Sequence, residues 1–388
     1  MMKFTMNAKE LKTMIEKGIS AINKKSALST LTKLYFQVEE NGTVKVWGTD
    51  MEHFAEIRTG NAWNTSPGIL GIDIDDIKIL TKMSGNITLE DVSTDKECKI
   101  NIQCGKKNVT IPKYENTDIF LPSMDDTEEK IFTVKENWLL ETIVNLSVYT
   151  SDSNKLFEVF NFNITHERVE ALDGHRIGMR TLENQNILQK NNNVMIHRKC
   201  MPVFKKIMDK KSEKDVAISQ DKKYVKVEGN DFTYMIYRTE GKYFDIDKML
   251  NIPDDFSFIP ERSNILEAMK YDADLAKTVK LDKKPVVFHS ENGKLYCYLN
   301  AIKYEAFDEL EVMENNMDSN LYIGFNPQFL VDVFDIVDSE NPVCIGTNAK
   351  SPMLITGNEY SFLVLPVNIT QNDYTEKFTD HINRSKAA

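Results

Sequence analysis

Short alternating apolar runs, each set opened by a strand that feeds an amphipathic helix, recur three times along this chain. Phe4-Thr5-Met6, Phe132-Thr133-Val134 and Phe256-Ser257-Phe258 read as opening strands, offset by 128 and then 124 positions. The helix after the first carries Leu11, Met14, Ile15, Gly18, Ile19 and Ile22 at the i, i+3, i+4 spacing that lines one face. Leu139, Ile143 and Leu146 repeat the pattern in the second, as do Ile265 and Met269 in the third. A hairpin follows each helix. Leu34, Phe36 and Val38 lead to Asn41-Gly42 and on to Val44 and Val46. Phe160, Phe162 and Ile164 are answered by Val169 and Ala171, and Val286 and Phe288 cross Asn292-Gly293 to Leu295, Cys297 and Leu299. Period-two apolar spacing around Asn-Gly is a strong hairpin signal. A second helix is expected near 73–84, 199–211 and 326–338. Two helices and two sets of strands per repeat make an α+β protein, with boundaries in the polar stretches Thr127–Lys130 and Pro253–Asp255.

A length of 388 residues suits two or three domains, and 41% hydrophobic with 28% charged residues is an ordinary globular balance. No apolar run reaches the 18 residues a membrane span needs, so no membrane partner is expected. Met1-Met2-Lys3-Phe4-Thr5 lacks the apolar core of a signal peptide. Five scattered cysteines (Cys98, Cys104, Cys200, Cys297, Cys344) have no histidine at zinc spacing and read as neutral thiols of a reducing cytoplasm. There is no Gly-x4-Gly-Lys-Ser/Thr loop, no His-Glu-x-x-His and no Cys-x-x-Cys, so neither cofactor nor metal is expected.

A net charge of −11 argues against a nucleic-acid partner unless the basic charge is segregated. It is segregated. Residues 197–214 carry seven basic groups against two acidic ones, and 9–25 carry five lysines against Glu10 and Glu16. In contrast, 326–338 holds Asp332, Asp335 and Asp338 with no basic group. Lysine-rich faces are also ordinary solvated helix surfaces, so this pattern alone leaves both readings open.

Ala171-Leu172-Asp173-Gly174-His175-Arg176-Ile177 resembles the middle domain of the bacterial DNA polymerase III beta subunit, the sliding clamp family. Met2-Lys3-Phe4-Thr5, Gly48-Thr49-Asp50-Met51-Glu52, Glu240-Gly241-Lys242-Tyr243-Phe244-Asp245, Ile323-Gly324-Phe325-Asn326 and Leu363-Val364-Leu365-Pro366-Val367 resemble family segments in the same order. The resemblance implies three clamp domains, at 1–128, 129–253 and 254–369, and a head-to-tail homodimer forming a six-domain ring around duplex DNA. It implies a non-catalytic processivity factor that binds DNA without sequence preference. Its further partners would be a DNA polymerase, a clamp loader and repair proteins, all held through short peptide motifs.

Carried over by position, the peptide pocket comprises Phe157, Leu172, Gly174, His175, Arg176, Ile177, Phe244, Met249, Pro352, Leu363, Leu365, Pro366 and Val367. Arg176 would meet polar groups of the peptide. Lys12, Lys25, Arg198 and Lys199 would face DNA, with Lys205 and Lys206 on the same basic helix; Val109, Ile111 and Leu275 would lie at the dimer contact. The chain departs from the family where Phe244 replaces its usual proline and where Asn368 replaces an often basic residue. Residues 370–388 extend past the family's usual end, and their polar composition suggests a flexible tail beside the pocket that modulates access to it. Two other functions compete. One is an interaction scaffold of the same fold that does not encircle DNA. The other is a hydrolase pairing Asp173 with His175 on one strand face, with Ser26 or Cys200 as nucleophile.

Overall fold

Each expected opening strand runs straight into its helix. The computed structural model describes residues 1–114, 121–183, 185–189, 193–278, 284–301 and 303–387, with the backbone alone for 385–387. The helices are α1 Ala8–Ile19, α2 Lys78–Thr81, α3 Glu136–Leu146, α4 Met201–Ile207, α5 Asp247–Leu250, α6 Arg262–Thr278, α7 Pro327–Ile336 and α8 Asn372–Ala387. Leu11, Met14, Ile15 and Gly18 of α1 are buried, as are Leu139, Ile143 and Leu146 of α3 and Ile265 and Met269 of α6. Asn7 caps α1 by accepting the Lys9 N–H, and Asn326 caps α7 by accepting that of Gln328, with Pro327 in the first turn.

The strands recur in nines among the described residues. The first set is β1 Lys3–Asn7, β2 Lys33–Val38, β3 Val44–Thr49, β4 His53–Thr59, β5 Trp63–Ser66, β6 Gly68–Asp73, β7 Asn86–Asp91, β8 Lys99–Cys104 and β9 Lys107–Pro112. The second is β10 Glu129–Lys135, β11 Val159–Asn163, β12 Arg168–Leu172, β13 Arg176–Thr181, β14 Asn186–Ile187, β15 Val194–His197, β16 Asp215–Gln220, β17 Tyr224–Glu228 and β18 Phe232–Tyr237. The third is β19 Phe256–Pro260, β20 Val286–Glu291, β21 Lys294–Ala301, β22 Tyr304–Leu310, β23 Val312–Asn315, β24 Tyr322–Phe325, β25 Val343–Gly346, β26 Met353–Thr356 and β27 Tyr360–Val364. The expected hairpins are β2–β3, β11–β12 and β20–β21. The last turns on Asn292 and Gly293, both at positive φ (+54° and +76°), the two-residue geometry Asn-Gly favours.

Sheet order repeats with the strands. The run β5-β1-β7-β8-β9 recurs as β14-β10-β16-β17-β18 and as β23-β19-β25-β26-β27, while β6-β2-β3-β4 recurs as β24-β20-β21-β22. In each repeat the opening strand meets the next through a pair of stacked phenylalanines. These are Phe4–Phe36, Phe132–Phe162 and Phe258–Phe288, with centroids 6.3, 5.3 and 6.1 Å apart. Those pairs tie two sheets across one core.

The chain forms two compact units. The first comprises Met1–Val144, Phe162–His166 and Asn184–Glu240. Within it the ninth strand of the second repeat, β18, pairs antiparallel with the fourth strand of the first, β4, with Tyr234 opposite Ala55. Its helices α1 and α4 are in contact. Helix α1 lies close on β3: a Cβ on Gly48 would stand 2.7 Å from the Gly18 carbonyl oxygen, so only glycine fits. The second unit comprises Asn145–Asn161, Glu167–Glu183 and Gly241–Ala388. There β27, the ninth strand of the third repeat, pairs with β13, the fourth of the second, with Gly178 opposite Phe362. The same joint therefore occurs twice. The outer strands β9 and β22 end their sheets.

Two expectations are corrected. The helix expected at 73–84 shrinks to α2, because Asp73 takes the N–H groups of Asp75, Asp76 and Ile77 and starts a tight turn instead. The tail expected to be flexible contains helix α8. Its sequence is polar overall, but Phe378 and Ile382 stand one turn apart and are buried against Val287, Tyr296, Tyr298 and Tyr322. That docking site is the β20–β22 sheet.

A buried acid stands out in the second unit. Asp272 of α6 is 1% exposed, and neither carboxylate oxygen has a hydrogen-bond donor among the described residues. Burial, with Asp308 on β22 adding repulsion, pushes its pKa up to about 7; burial and Glu267 raise Asp308 as well, and Cys297 is the neighbouring thiol. Between pH 4 and pH 7 the native carboxyl keeps a proton the unfolded chain has lost, so stability falls as pH rises through that window. Asp272→Asn is expected to be more stable than the parent at pH 8, by roughly 2–4 kcal/mol at about 1.4 kcal/mol per pKa unit, and to converge with it near pH 4. Urea unfolding at the two pH values measures this.

Candidate functional site

The turn Asp173–Arg176 is built around one carboxylate. Asp173 Oδ1 accepts the backbone N–H groups of His175 (2.9 Å) and Arg176 (3.1 Å), while Gly174 adopts a φ of +91°. A Cβ on Gly174 would also come within 3.2 Å of the Phe157 ring. Asp173 and His175 therefore occupy a turn and not one face of an extended strand, which corrects the acid–base reading. The first repeat builds the same turn: Asp50 Oδ1 accepts from Glu52 (3.0 Å) and His53 (2.7 Å), and Met51 has a φ of +78°. In both places the end of the following repeat's ninth strand, or the residue just after it, donates to the turn: Tyr237 N–H to Glu52 O (3.3 Å) and Leu365 N–H to His175 O (3.0 Å).

Arg176 is a strut. It is 8% exposed; its Nε donates to Asp173 Oδ2 at 2.9 Å, one terminal nitrogen donates to Asp332 of α7, and the other to the Val148 carbonyl at 2.7 Å. Its guanidinium lies over the rings of Phe329 (4.3 Å) and Tyr149 (4.9 Å). Burial alone would favour losing the proton, but Asp332 and Asp173 together hold the group charged, above its ordinary range. Each of its three nitrogens is thus engaged within the unit, so Arg176 shapes the turn. Tyr149, Phe329 and Asp332 were not legible in the sequence, since they lie far from Arg176 along the chain and no local pattern links them.

An apolar surface surrounds this strut in the second unit. Leu172, Ile177 and Leu363 are buried, joined by strand pairing of Ile177 with both Leu172 and Leu363. Phe157 and Phe244 pack with centroids 5.3 Å apart. Phe244, Met249 and Leu365 keep 37%, 53% and 39% of their surface exposed. His175 is exposed and stacks on Phe329 at 6.2 Å, and Pro352, Pro366 and Val367 are half-buried. Met249 stands on the short helix α5.

The basic positions fall on the first unit. Lys205 and Lys206 are exposed on α4, Lys12 is exposed on α1, and Lys25 is exposed just beyond α1. Lys12 pairs with Glu16 at 3.9 Å and Lys199 with Glu52 at 3.7 Å, whereas Lys25, Lys205 and Lys206 have no ion pair among the described residues. Arg198 is half-buried in the turn entering α4. Of the positions expected at a dimer contact, Val109 and Ile111 stand on the edge strand β9, with Ile111 buried opposite Ile100. Leu275 packs against Leu299, Ala301 and Ala306, the last on the edge strand β22. Of the nucleophiles considered, Cys200 is fully buried and burial pushes its thiol well up, while Ser26 Oγ accepts the Leu28 N–H in a turn.

A family profile described as DNA polymerase III beta subunit, central domain, matches residues 133–245. The beta sliding clamp of Pseudomonas aeruginosa is 21% identical over 376 residues, covering 95% of this chain and 100% of that protein. That of Staphylococcus aureus is 23% identical, with 95% and 99% covered. Among solved structures, a putative DNA polymerase III beta subunit from Eubacterium rectale superposes with a TM-score of 0.83 at 25% identity, covering 95% of this chain and all of that one. The Bacillus subtilis sliding clamp reaches 0.84 at 17% identity, with the same coverage.

The chain is similar to beta sliding clamps along 95% of its length.

The profile spans the middle repeat and the Asp173–Arg176 turn. Replacing the strut tests its weight in the fold. Arg176→Met would leave the carboxylates of Asp173 and Asp332 without their cation, a loss expected to cost about 3 kcal/mol of folding stability. Urea denaturation of the two proteins reads it directly.

Proposed function

We propose that this chain is a DNA sliding clamp, a non-catalytic subunit that holds a DNA polymerase on duplex DNA. The observation that carries the reading is the repeated joint, ninth strand onto fourth strand, within a chain that matches beta sliding clamps along 95% of its length. Applied once more, the joint pairs the edge strand β9 of one copy with β22 of a second. Two copies then hold six repeats, divided at 1–128, 129–253 and 254–369, and two such seams close a ring. Charge supports the pairing: Lys106 and Lys107 are exposed at β9, while β22 brings Asp308, with Glu267 of α6 beside it. Val109 and Leu275 would be the apolar contacts of that seam.

The acidic total and the basic helices fit one arrangement. Lys12, Lys25, Arg198, Lys199, Lys205 and Lys206 would contact phosphates from inside the ring, each displacing condensed counterions without reading a base. Contacts of that kind move along the duplex, and topology supplies the retention. Loading the protein onto nicked circular DNA with a clamp loader and then linearising the circle is the decisive test. A ring leaves through the new ends, whereas an interaction scaffold that merely contacts DNA remains bound or never loads.

The outer surface selects partners. The exposed apolar group Phe244, Met249 and Leu365, over the buried floor of Leu172, Ile177 and Leu363, suits a short peptide with apolar anchors. Polymerase, clamp loader and repair proteins in the cytoplasm would present such peptides. Gly174, His175 and the Leu365–Val367 segment would offer backbone groups, and Phe157, Pro352 and Pro366 would shape the walls. Arg176 serves as their support. Leu365→Ala is expected to weaken binding of an apolar-anchored peptide about tenfold, in line with loss of an anchor worth roughly 1–2 kcal/mol. Fluorescence anisotropy with a labelled peptide measures the change, and DNA sliding should be unaffected.

A further inference from the structure

We infer that helix α8 is a strap on the free edge strand β22, and that it sets the strength of the head-to-tail dimer. The reasoning starts from what covers each β-sheet after its repeat ends. Behind β9, Tyr114 and Met124 pack on Tyr35, Trp47 and Phe54 of the first repeat. Behind β18, Tyr243 and Ile246 are buried and Asp247 pairs with Arg168 of β12. Behind β27, Ile369, Tyr374, Phe378 and Ile382 cover Val287, Tyr296, Tyr298, Phe307 and Tyr322. The stretch after each ninth strand thus covers a sheet of its own repeat, and α8 is the third such cover.

Its setting differs from the other two in one respect. The fourth strands β4 and β13 have ninth strands paired to them within the chain, whereas β22 ends its sheet. An edge strand without a partner opens more readily than an interior one. Helix α8 grips this edge through Lys377, Phe378 and His381, with Phe378 on Phe307 at 5.9 Å. Lys377 Nζ donates to Glu305 at 2.8 Å and His381 Nε2 lies 3.6 Å from the same carboxylate, while the His381 ring stacks on Phe307 at 4.9 Å and 12°. Tyr298, on the neighbouring strand, donates to Glu305 from below at 2.9 Å. The opposite face of β22 carries Ala306 against Leu275. The strand is therefore held from both sides, in the extended form that a second copy's β9 would need. Ordering it beforehand removes an entropic cost from association.

The inference rests on the dimer reading above, and two measurements separate them. Hydrogen exchange of β22 and the dimer dissociation constant are compared for the full chain and a chain ending at Gln371. Removal of α8 is expected to speed exchange in β22 at least tenfold, with the interior strand β20 changing less, and to raise the dimer dissociation constant at least tenfold. Lys377→Glu, a substitution on the helix surface that repels Glu305, is expected to shift both in the same direction by severalfold even if the shortened chain aggregates. A dissociation constant within twofold of the parent in both variants, or unchanged β22 exchange, overturns the strap. A parent that stays monomeric at all concentrations overturns the dimer reading, and the exchange measurement still decides the strap.

Discussion

The outermost strand of a β-sheet leaves a row of backbone N–H and C=O groups facing outward, and in this protein the satisfaction of those groups organises everything larger than a repeat. Twice the chain solves the problem by laying a ninth strand along a fourth, β18 on β4 and β27 on β13. Each such joint fuses two small sheets into a longer one, so the repeats are welded by backbone hydrogen bonds and not merely packed. The strands left over, β9 and β22, have the same two identities as the strands already joined. The proposed head-to-tail partner would reuse a geometry already present twice in the chain.

The joint also borders the surface proposed to take peptides. Where β27 meets β13, the Leu365 N–H reaches the His175 carbonyl, and the chain beyond β27 carries its exposed apolar residues past the Asp173–Arg176 turn. The first repeat builds an equivalent turn on Asp50, yet its surroundings differ. There Met124 packs over the cluster that includes Phe54 and Met235. In the second unit the segment after β18 buries Tyr243 and Ile246 but leaves Phe244 and Met249 open to solvent. One scaffold thus yields a covered apolar cluster in one place and an exposed one in another, according to how the following segment is used.

Charge is divided by element. The lysines of α1 and α4 sit in the first unit, whereas α7 of the second carries Asp332 and Asp335 with no basic group, and Asp335 pairs with Lys270 of α6. A protein at −11 can meet a polyanion because phosphate senses the local potential of exposed lysines more than the total.

The sequence by itself determined the repeat. Alternation around Asn292-Gly293 and the i, i+3, i+4 stripes of α1, α3 and α6 are local signals that tertiary context did not override. Local signals also misled in two places. The acids at 73–76 drew the backbone into a tight turn and cut α2 short, and two apolar residues in a polar tail sufficed to dock α8 once an aromatic sheet stood opposite them. Only the tertiary structure decided what Arg176 does. Its partners Asp332, Phe329 and Val148 come from other parts of the chain, and nothing in the Asp-Gly-His-Arg motif shows whether a guanidinium faces a ligand or is consumed by its neighbours. Side-chain periodicity is written within a few residues, whereas the balance between a free donor and a satisfied one depends on groups brought together by the fold.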